Sequence, residues 1–251
     1  IHERLVGSEM CIRDRLSTLR ENKFQAKASK CRWARTELEF LGHIINADGI
    51  SMDPKKVRVV REWKQPEDVT SLRRFLGFCN YFRRFVRGYS GLSAPLTDML
   101  STKVQWDASL WTEERLNAFE QVKEAVAEAV QLNHPDFSQP FGFEVMSDAS
   151  QRGTGAVLLQ NGRPIAFTSK KFTPAERGYT TGEQELLGVV HALREWRCYL
   201  EGPMDVLVIS DHPPLIYLNT QPTPSHRQAG WLEFLSRFHI CLLYTSDAAD
   251  E

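Results

Sequence analysis

The chain has 251 residues, 42% apolar and 10% aromatic, with 31 Lys+Arg against 32 Asp+Glu and a net charge of −1. That is enough apolar residue for a real core, which excludes a globally disordered chain, and enough length for one large or two small domains. No apolar run reaches the ~18–20 residues of a membrane-spanning helix, no secretory signal pattern opens the chain, and the five cysteines (11, 31, 79, 198 and 241) form neither a CxxC pair nor a zinc spacing, so a reducing compartment is expected.

The two ends stand apart from the rest. Met10-Cys11-Ile12-Arg13-Asp14-Arg15 can be encoded by ATG TGT ATA AGA GAC AG. The reverse complement of that DNA, read from its second base, gives Cys-Leu-Leu-Tyr-Thr, which is Cys241 to Thr245. One DNA element read on opposite strands thus explains both, and both resemble translated sequencing-library adapter. Residues 1–15 and 241–251 are therefore expected to be adapter-derived, and residues 5–15 and 241–251 to pack poorly and to add no site residue. Asp247 and Asp250 are excluded as candidate catalytic acids on the same ground.

Between them, residues 37–52 are two short apolar runs around an Asp48-Gly49 turn signal, which predicts a β-hairpin. Asp53-Pro54 opens a helix, with Asp as cap and Pro in the first turn, and Pro66 ends it. Its apolar face is Val57, Val60 and Trp63. A second helix is predicted from about Val69 to Tyr89, with Leu72, Phe75, Leu76, Cys79, Phe82 and Val86 at helical spacing. From Met52 to Ser90 there are ten Lys/Arg and four Asp/Glu, a local excess of +6 hidden in the near-neutral total. A third helix follows Thr112, with Leu116, Phe119, Val122, Val126 and Ala129 on one face.

After Pro140 the pattern changes. Gly142–Ser147, Gly155–Gln160 and Pro164–Ser169 predict three antiparallel strands. A long helix is predicted over about Gly182–Leu200. Met204–Ser210 is a continuous apolar run, expected of a strand buried on both faces. A loop and a further helix fill the region around Pro222–Arg237. The fold class expected is α/β, a β-β-β-α-β mixed sheet flanked by helices, preceded by a mostly helical α+β part.

Three carboxylates occupy telling places. Asp148 ends the first strand of the β-β-β-α-β unit, Asp211 ends the fourth, and Glu185 lies in the first turns of the intervening helix. If the first and fourth strands are parallel neighbours, both Asp side chains emerge at one sheet edge. Three converging carboxylates make a hard, oxygen-only environment suited to Mg²⁺ or Mn²⁺. Two such ions would activate water and stabilise a leaving oxygen in phosphodiester hydrolysis. Glu183, two residues from Glu185, is expected on another side of the helix.

Met146-Ser147-Asp148-Ala149-Ser150, Gly153–Leu158, Pro164–Phe167, Tyr179–Leu187 and Ser210-Asp211-His212 resemble the RNase H domain of gypsy-type (Metaviridae-like) LTR-retrotransposon reverse transcriptases. Phe40–Ile45, Gly49-Ile50, Phe75-Leu76-Gly77 and Asn80–Phe85 are similar to the end of the palm and the thumb of the same Pol polyprotein. The resemblance implies a palm end and helical thumb over 16–110 and an RNase H-like domain, C-terminally truncated, over 111–240. It implies Asp148, Glu185 and Asp211 as catalytic acids holding two Mg²⁺ (or Mn²⁺) ions. Nucleic-acid contacts are implied at Phe40, Leu41, Gly42 and His43, in the primer-grip hairpin, and at Lys55, Lys56, Arg73, Arg74, Arg83, Arg84 and Arg87, on the basic helices. The implied partners are an RNA–DNA hybrid and the rest of the Pol polyprotein, with no membrane, in the cytoplasm or a virus-like particle.

Departures from that pattern limit the activity expected. The family's polymerase needs a Tyr-x-Asp-Asp motif, and this chain has no Asp-Asp dipeptide, so it is expected not to polymerise by itself. The family's RNase H carries a fourth acid after the fifth strand, which this chain replaces with the adapter-like stretch. Met146 stands where Thr or a β-branched residue is usual. The activity implied is metal-dependent hydrolysis of RNA in RNA–DNA hybrids; a fragment that binds hybrid without cutting it is the alternative.

Overall fold

The structure is a computed structural model that describes residues 2–33, 35–101, 106–138, 141–202, 205–210 and 225–244. The first helix, α1 (His2–Glu21), runs across the expected 15/16 boundary without a break and leaves Leu16 and Leu19 exposed.

The expected hairpin is a three-stranded meander: β1 (Glu37–Phe40), β2 (His43–Asn46) and β3 (Gly49–Met52), all antiparallel. The added turn is Leu41-Gly42, both at positive φ (50° and 82°), the geometry that joins two strands with a two-residue loop. In the second turn the Asn46 side chain accepts from the amides of Asp48 and Gly49. Asp53 caps α2 (Pro54–Arg61), as predicted, by accepting from the Lys55 amide at 2.8 Å.

The predicted helix over 69–89 is broken. α3 (Val69–Tyr81) opens on a reciprocal cap between Asp68 and Ser71 and stops at Phe82. A single 3₁₀ turn, Arg83–Phe85, follows. Gly88, in the left-handed region, then redirects the chain into α4 (Tyr89–Asp98). Sequence reasoning missed α4 because Gly91 and Pro95 lie inside it. The helix after Thr112 is α5 (Glu113–Ala127). Its Phe119, Val122 and Val126 are buried, whereas Leu116, predicted inward, is 38% exposed.

These elements close one core. Leu72, Phe75, Cys79, Phe82, Phe85, Leu96, Met99 and Phe119 are buried together. Leu132 joins them by pairing with Ile50 through two backbone hydrogen bonds of 2.7 and 2.9 Å. The expected division at 110/111 therefore cuts through this core, because α5 packs with the helices before it rather than leading into the sheet that follows.

The second core forms on a five-stranded mixed sheet. Its strands are β4 (Phe141–Ala149), β5 (Gly153–Gln160), β6 (Arg163–Lys171), β7 (Asp205–Ser210) and β8 (His239–Tyr244), in the order β6-β5-β4-β7-β8. β4, β5 and β6 are antiparallel, and β7 lies parallel to β4 on its other side, the neighbour relation the sequence reading required. The predicted 182–200 helix ends earlier, as α6 (Thr181–Glu195), and after Trp196 becomes the single turn α7 (Arg197–Leu200). α6 and α8 (His226–Leu235) cover one sheet face, burying Phe143, Val145, Leu158, Val206 and Val208 against Leu186, Leu193, Trp196 and Trp231.

Two further expectations are corrected here. β7 is not buried on both faces: Val206, Val208 and Ser210 are buried, but Leu207 and Ile209 only partly, because no helix of the α6–α8 layer covers their side. Residues from Cys241 on were expected to pack poorly, yet Cys241–Tyr244 belong to β8 and pair in parallel with Leu207–Ser210. Ladder bonds come from the backbone and need only an extended apolar segment, and Leu242 supplies a side chain that packs on the core.

Candidate active site

The end of β4 is where the sequence placed the first acid. Alternation along the strand buries Ser147 and leaves Asp148 exposed. The Thr154 hydroxyl, from the neighbouring β5, donates to the Asp148 carbonyl at 3.0 Å. This holds the strand end at the position where the carboxylate leaves the sheet.

α6 brings the second acid to the same place. Thr180 caps the helix and Glu183 answers it, accepting from the Thr180 amide at 3.2 Å. Glu185, only 4% exposed, reaches β4 and accepts from the Ala149 amide at 3.2 Å through Oε1. One turn later Gly188 sits directly on the sheet. A Cβ there would lie 2.4 Å from Thr154 Oγ1 and 2.8 Å from Ser147 Oγ, so the absent side chain is what lets α6 approach so closely. Glu185 is thus anchored at Ala149, the residue next to Asp148 in the strand. Glu183 is turned to the capping box, as expected of it. Asp211, next after Ser210 of β7, lies outside the described residues, and so does His212. Among the described residues no group of three His, Cys, Asp or Glu could hold a metal ion.

An open cleft of about 1180 Å³ runs from Asp148 across the sheet face opposite α6, with α4 on its far side. Met146 and Ile209 are part of its wall, and Arg87, Arg152 and Lys171 line it. Arg152 and Lys171 were not singled out in the sequence; isolated cations on strand ends carry no periodic signal.

The other predicted contacts are arranged as follows. Phe40 and Leu41 are 54% and 69% exposed at the β1–β2 turn, and the Tyr81 hydroxyl of α3 donates to the Leu41 carbonyl at 2.9 Å. His43 points the other way, into Tyr81, Phe82 and Phe85, with ring centroids 5.3–5.4 Å away. Burial, then the nearby Arg84 charge, lowers its pKa. The Lys56 stem lies against Gly42. Lys55 pairs with Glu39 at 3.0 Å. Arg73, Arg74 and Arg87 are exposed, and the Arg84 guanidinium lies over Phe85. Arg83 turns toward the second core and pairs with Glu195 of α6 at 2.9 Å.

Comparison with known proteins places the chain beside a set of polyproteins and viral enzymes. Residues 136–238 match the model of the RNase H-like domain found in reverse transcriptase. The chain is similar to the retrovirus-related Pol polyprotein from transposon gypsy of Drosophila melanogaster, 31% identical over 241 residues, 91% of this chain and 23% of that polyprotein. It is 36% identical over 212 residues to the Pol polyprotein from transposon 412 of the same species, 83% of this chain and 17% of that one. The Tf2-3 transposon polyprotein of Schizosaccharomyces pombe is 30% identical over 247 residues, 95% of this chain and 18% of that polyprotein. The chain thus spans a quarter or less of the curated relatives it matches. Among solved structures, the foamy viral protease-reverse transcriptase in complex with double-stranded DNA superposes with a TM-score of 0.73 at 25% identity, covering 89% of this chain and 48% of that one. The same viral protein in complex with an RNA/DNA hybrid superposes with a TM-score of 0.73 at 24% identity, covering 88% and 31%.

Proposed function

We propose that this protein hydrolyses the RNA strand of RNA–DNA hybrids, because residues 136–238 match the model of the RNase H-like domain found in reverse transcriptase, within a chain similar to transposon Pol polyproteins. Asp148, Glu185 and Asp211 are its catalytic acids. The observation that carries the reading is the Glu185–Ala149 contact. It commits a buried carboxylate to the strand end from which Asp148 enters the cleft.

The residues fit a hard divalent cation, because the donors are carboxylate oxygens, one buried and hydrogen-bonded, the other open to the cleft. Asp148, Glu185 and Asp211 would hold two Mg²⁺ or Mn²⁺ ions. When bound, such ions lower the pKa of a water and neutralise charge at the leaving oxygen. The chain's own part is to orient. The Ala149 amide fixes Glu185, Thr154 fixes the backbone of Asp148, and the cations of the cleft and of the Met52–Ser90 segment hold the phosphate backbone. Phe40 and Leu41 offer an apolar edge to the primer strand, as in the palm-end hairpin they resemble.

A second reading, hybrid binding without cleavage, is favoured by the family's fourth acid having no counterpart before the adapter-like stretch. A labelled RNA–DNA hybrid incubated with the protein in Mg²⁺ and in Mn²⁺ separates the two. Cleavage that disappears in Asp148→Asn while binding persists supports the nuclease. Binding with no cleavage in either metal supports the second reading. Equal cleavage by Asp148→Asn overturns the assignment of the acids.

A further inference from the structure

The first turn of α6 is held from outside by one cation. Arg227, at the start of α8, places its guanidinium 3.8 Å from the centroid of the Tyr179 ring, just before α6. Its NH1 lies 3.8 Å from Glu183 Oε1, while the other oxygen of that carboxylate closes the α6 capping box with Thr180. Tyr179 in turn contacts the ring of Trp231, one turn further along α8, at 6.1 Å. Arg227, Tyr179 and Trp231 thus clamp the N-terminal ends of two helices together, and Glu183 connects the clamp to the turn that carries Glu185.

We infer that Arg227 is a positioning residue: with Tyr179 and Glu183 it sets the aim of Glu185 at the end of β4. The inference rests on the proposed role of Glu185. Two features of the chemistry point to aim rather than bulk stability. An ion pair at this distance, with the Arg227 side chain 42% exposed, contributes little stability by itself. A planar guanidinium on a ring face, by contrast, fixes direction, which a flexible ammonium does not. The turn it fixes is two residues from a carboxylate whose use depends on placement, and small displacements of catalytic groups are costly.

The test uses the full chain and the variants Arg227→Met, Arg227→Lys, Glu183→Gln and Arg227→Met/Glu183→Gln. Two quantities are read: hydrogen exchange of the Ala149 amide without metal or substrate, and the Mg²⁺ concentration giving half-maximal hybrid cleavage. Arg227→Met should accelerate Ala149 exchange about tenfold and raise the half-maximal Mg²⁺ about tenfold, with a thermal midpoint only a few degrees lower. Arg227→Lys should fall between it and the parent. The double variant should be no worse than the worse single one, because both break one linkage. Unchanged Ala149 exchange in Arg227→Met overturns the inference whatever the cleavage assay gives. Accelerated exchange with unchanged Mg²⁺ dependence in an actively cleaving protein overturns it too, since Arg227 would then be structural only. If Asp148→Asn cleaves as well as the parent, the nuclease assignment fails, and the inference fails with it as a statement about catalysis. Ala149 exchange then still decides whether Arg227 aims Glu185.

Discussion

Glu185 is an acid that folding removes from water and places against the Ala149 amide. Replacing it tests fold and chemistry separately. Glu185→Gln keeps an oxygen for the Ala149 amide, so stability should change by less than about 1 kcal/mol. Cleavage should fall at least about 100-fold, the scale of removing one charge-stabilising group from a site. Glu185→Leu leaves the amide without its acceptor and should also cost about 1–3 kcal/mol in denaturant unfolding. Gly49 offers a test remote from the site. A Cβ there would lie 2.1 Å from the Leu132 carbonyl oxygen, at a φ of 150°, so Gly49→Ala should destabilise the first core by about 2–3 kcal/mol. Asp148 and Glu185 could be singled out in the sequence because one stands near the end of a strand pattern and the other in the first turns of a helix. Arg227 was not legible: its significance lies in a ring and a carboxylate more than forty residues away in the chain.

At the scale of elements, α6 and β6 are joined by a polar contact inside an apolar layer. The His191 ring nitrogen lies 3.2 Å from Thr168 Oγ1. Burial lowers the His191 pKa; Glu195 opposes that shift, and the charges of Lys170, Arg83 and Arg194 add to it. With the folded pKa below the unfolded one, the neutral ring's contribution is complete above the ordinary histidine range. It is lost as pH falls through the folded value. The thermal midpoint should therefore drop between about pH 7 and pH 5, and His191→Gln should flatten that drop; an equal drop in the variant would exclude His191 as its source. The strands and helices that sequence patterns located well, α2, α5, β5 and β6, carry a strong period or a side-chain cap. Those misjudged depend on context. The 69–89 run keeps its apolar spacing across the 3₁₀ turn at Arg83–Phe85, so periodicity alone could not see the break at Gly88. Burial of β7 depends on a helix layer that covers only one face of its sheet.

Across the whole molecule, two cores are tied by Phe167 of β6, which packs on the first core, and by polar contacts. Arg83 meets Glu195, Lys171 meets Asp98 at 2.6 Å, and the Ser90 amide donates to Ser169 at 2.8 Å. They place Arg87, Gly88 and Ser90, the end of the basic Met52–Ser90 segment, on the cleft that begins at Asp148. A hybrid spanning both would release counterions at each phosphate contact. Its binding should weaken linearly in log salt, with a slope of about −0.9 per contact as a duplex guide. Arg87→Gln should make that slope shallower by about one unit, whereas a slope unchanged by the substitution would remove Arg87 from the binding surface. The most direct measurement of the central claim is paramagnetic broadening of backbone amide resonances on titrating Mn²⁺ into the full chain. A shared carboxylate site predicts that the Asp148, Ala149 and Glu185 amides broaden first, at substoichiometric metal, and that Asp148→Asn abolishes the effect. Broadening that begins elsewhere, or that persists unchanged in Asp148→Asn, would contradict it.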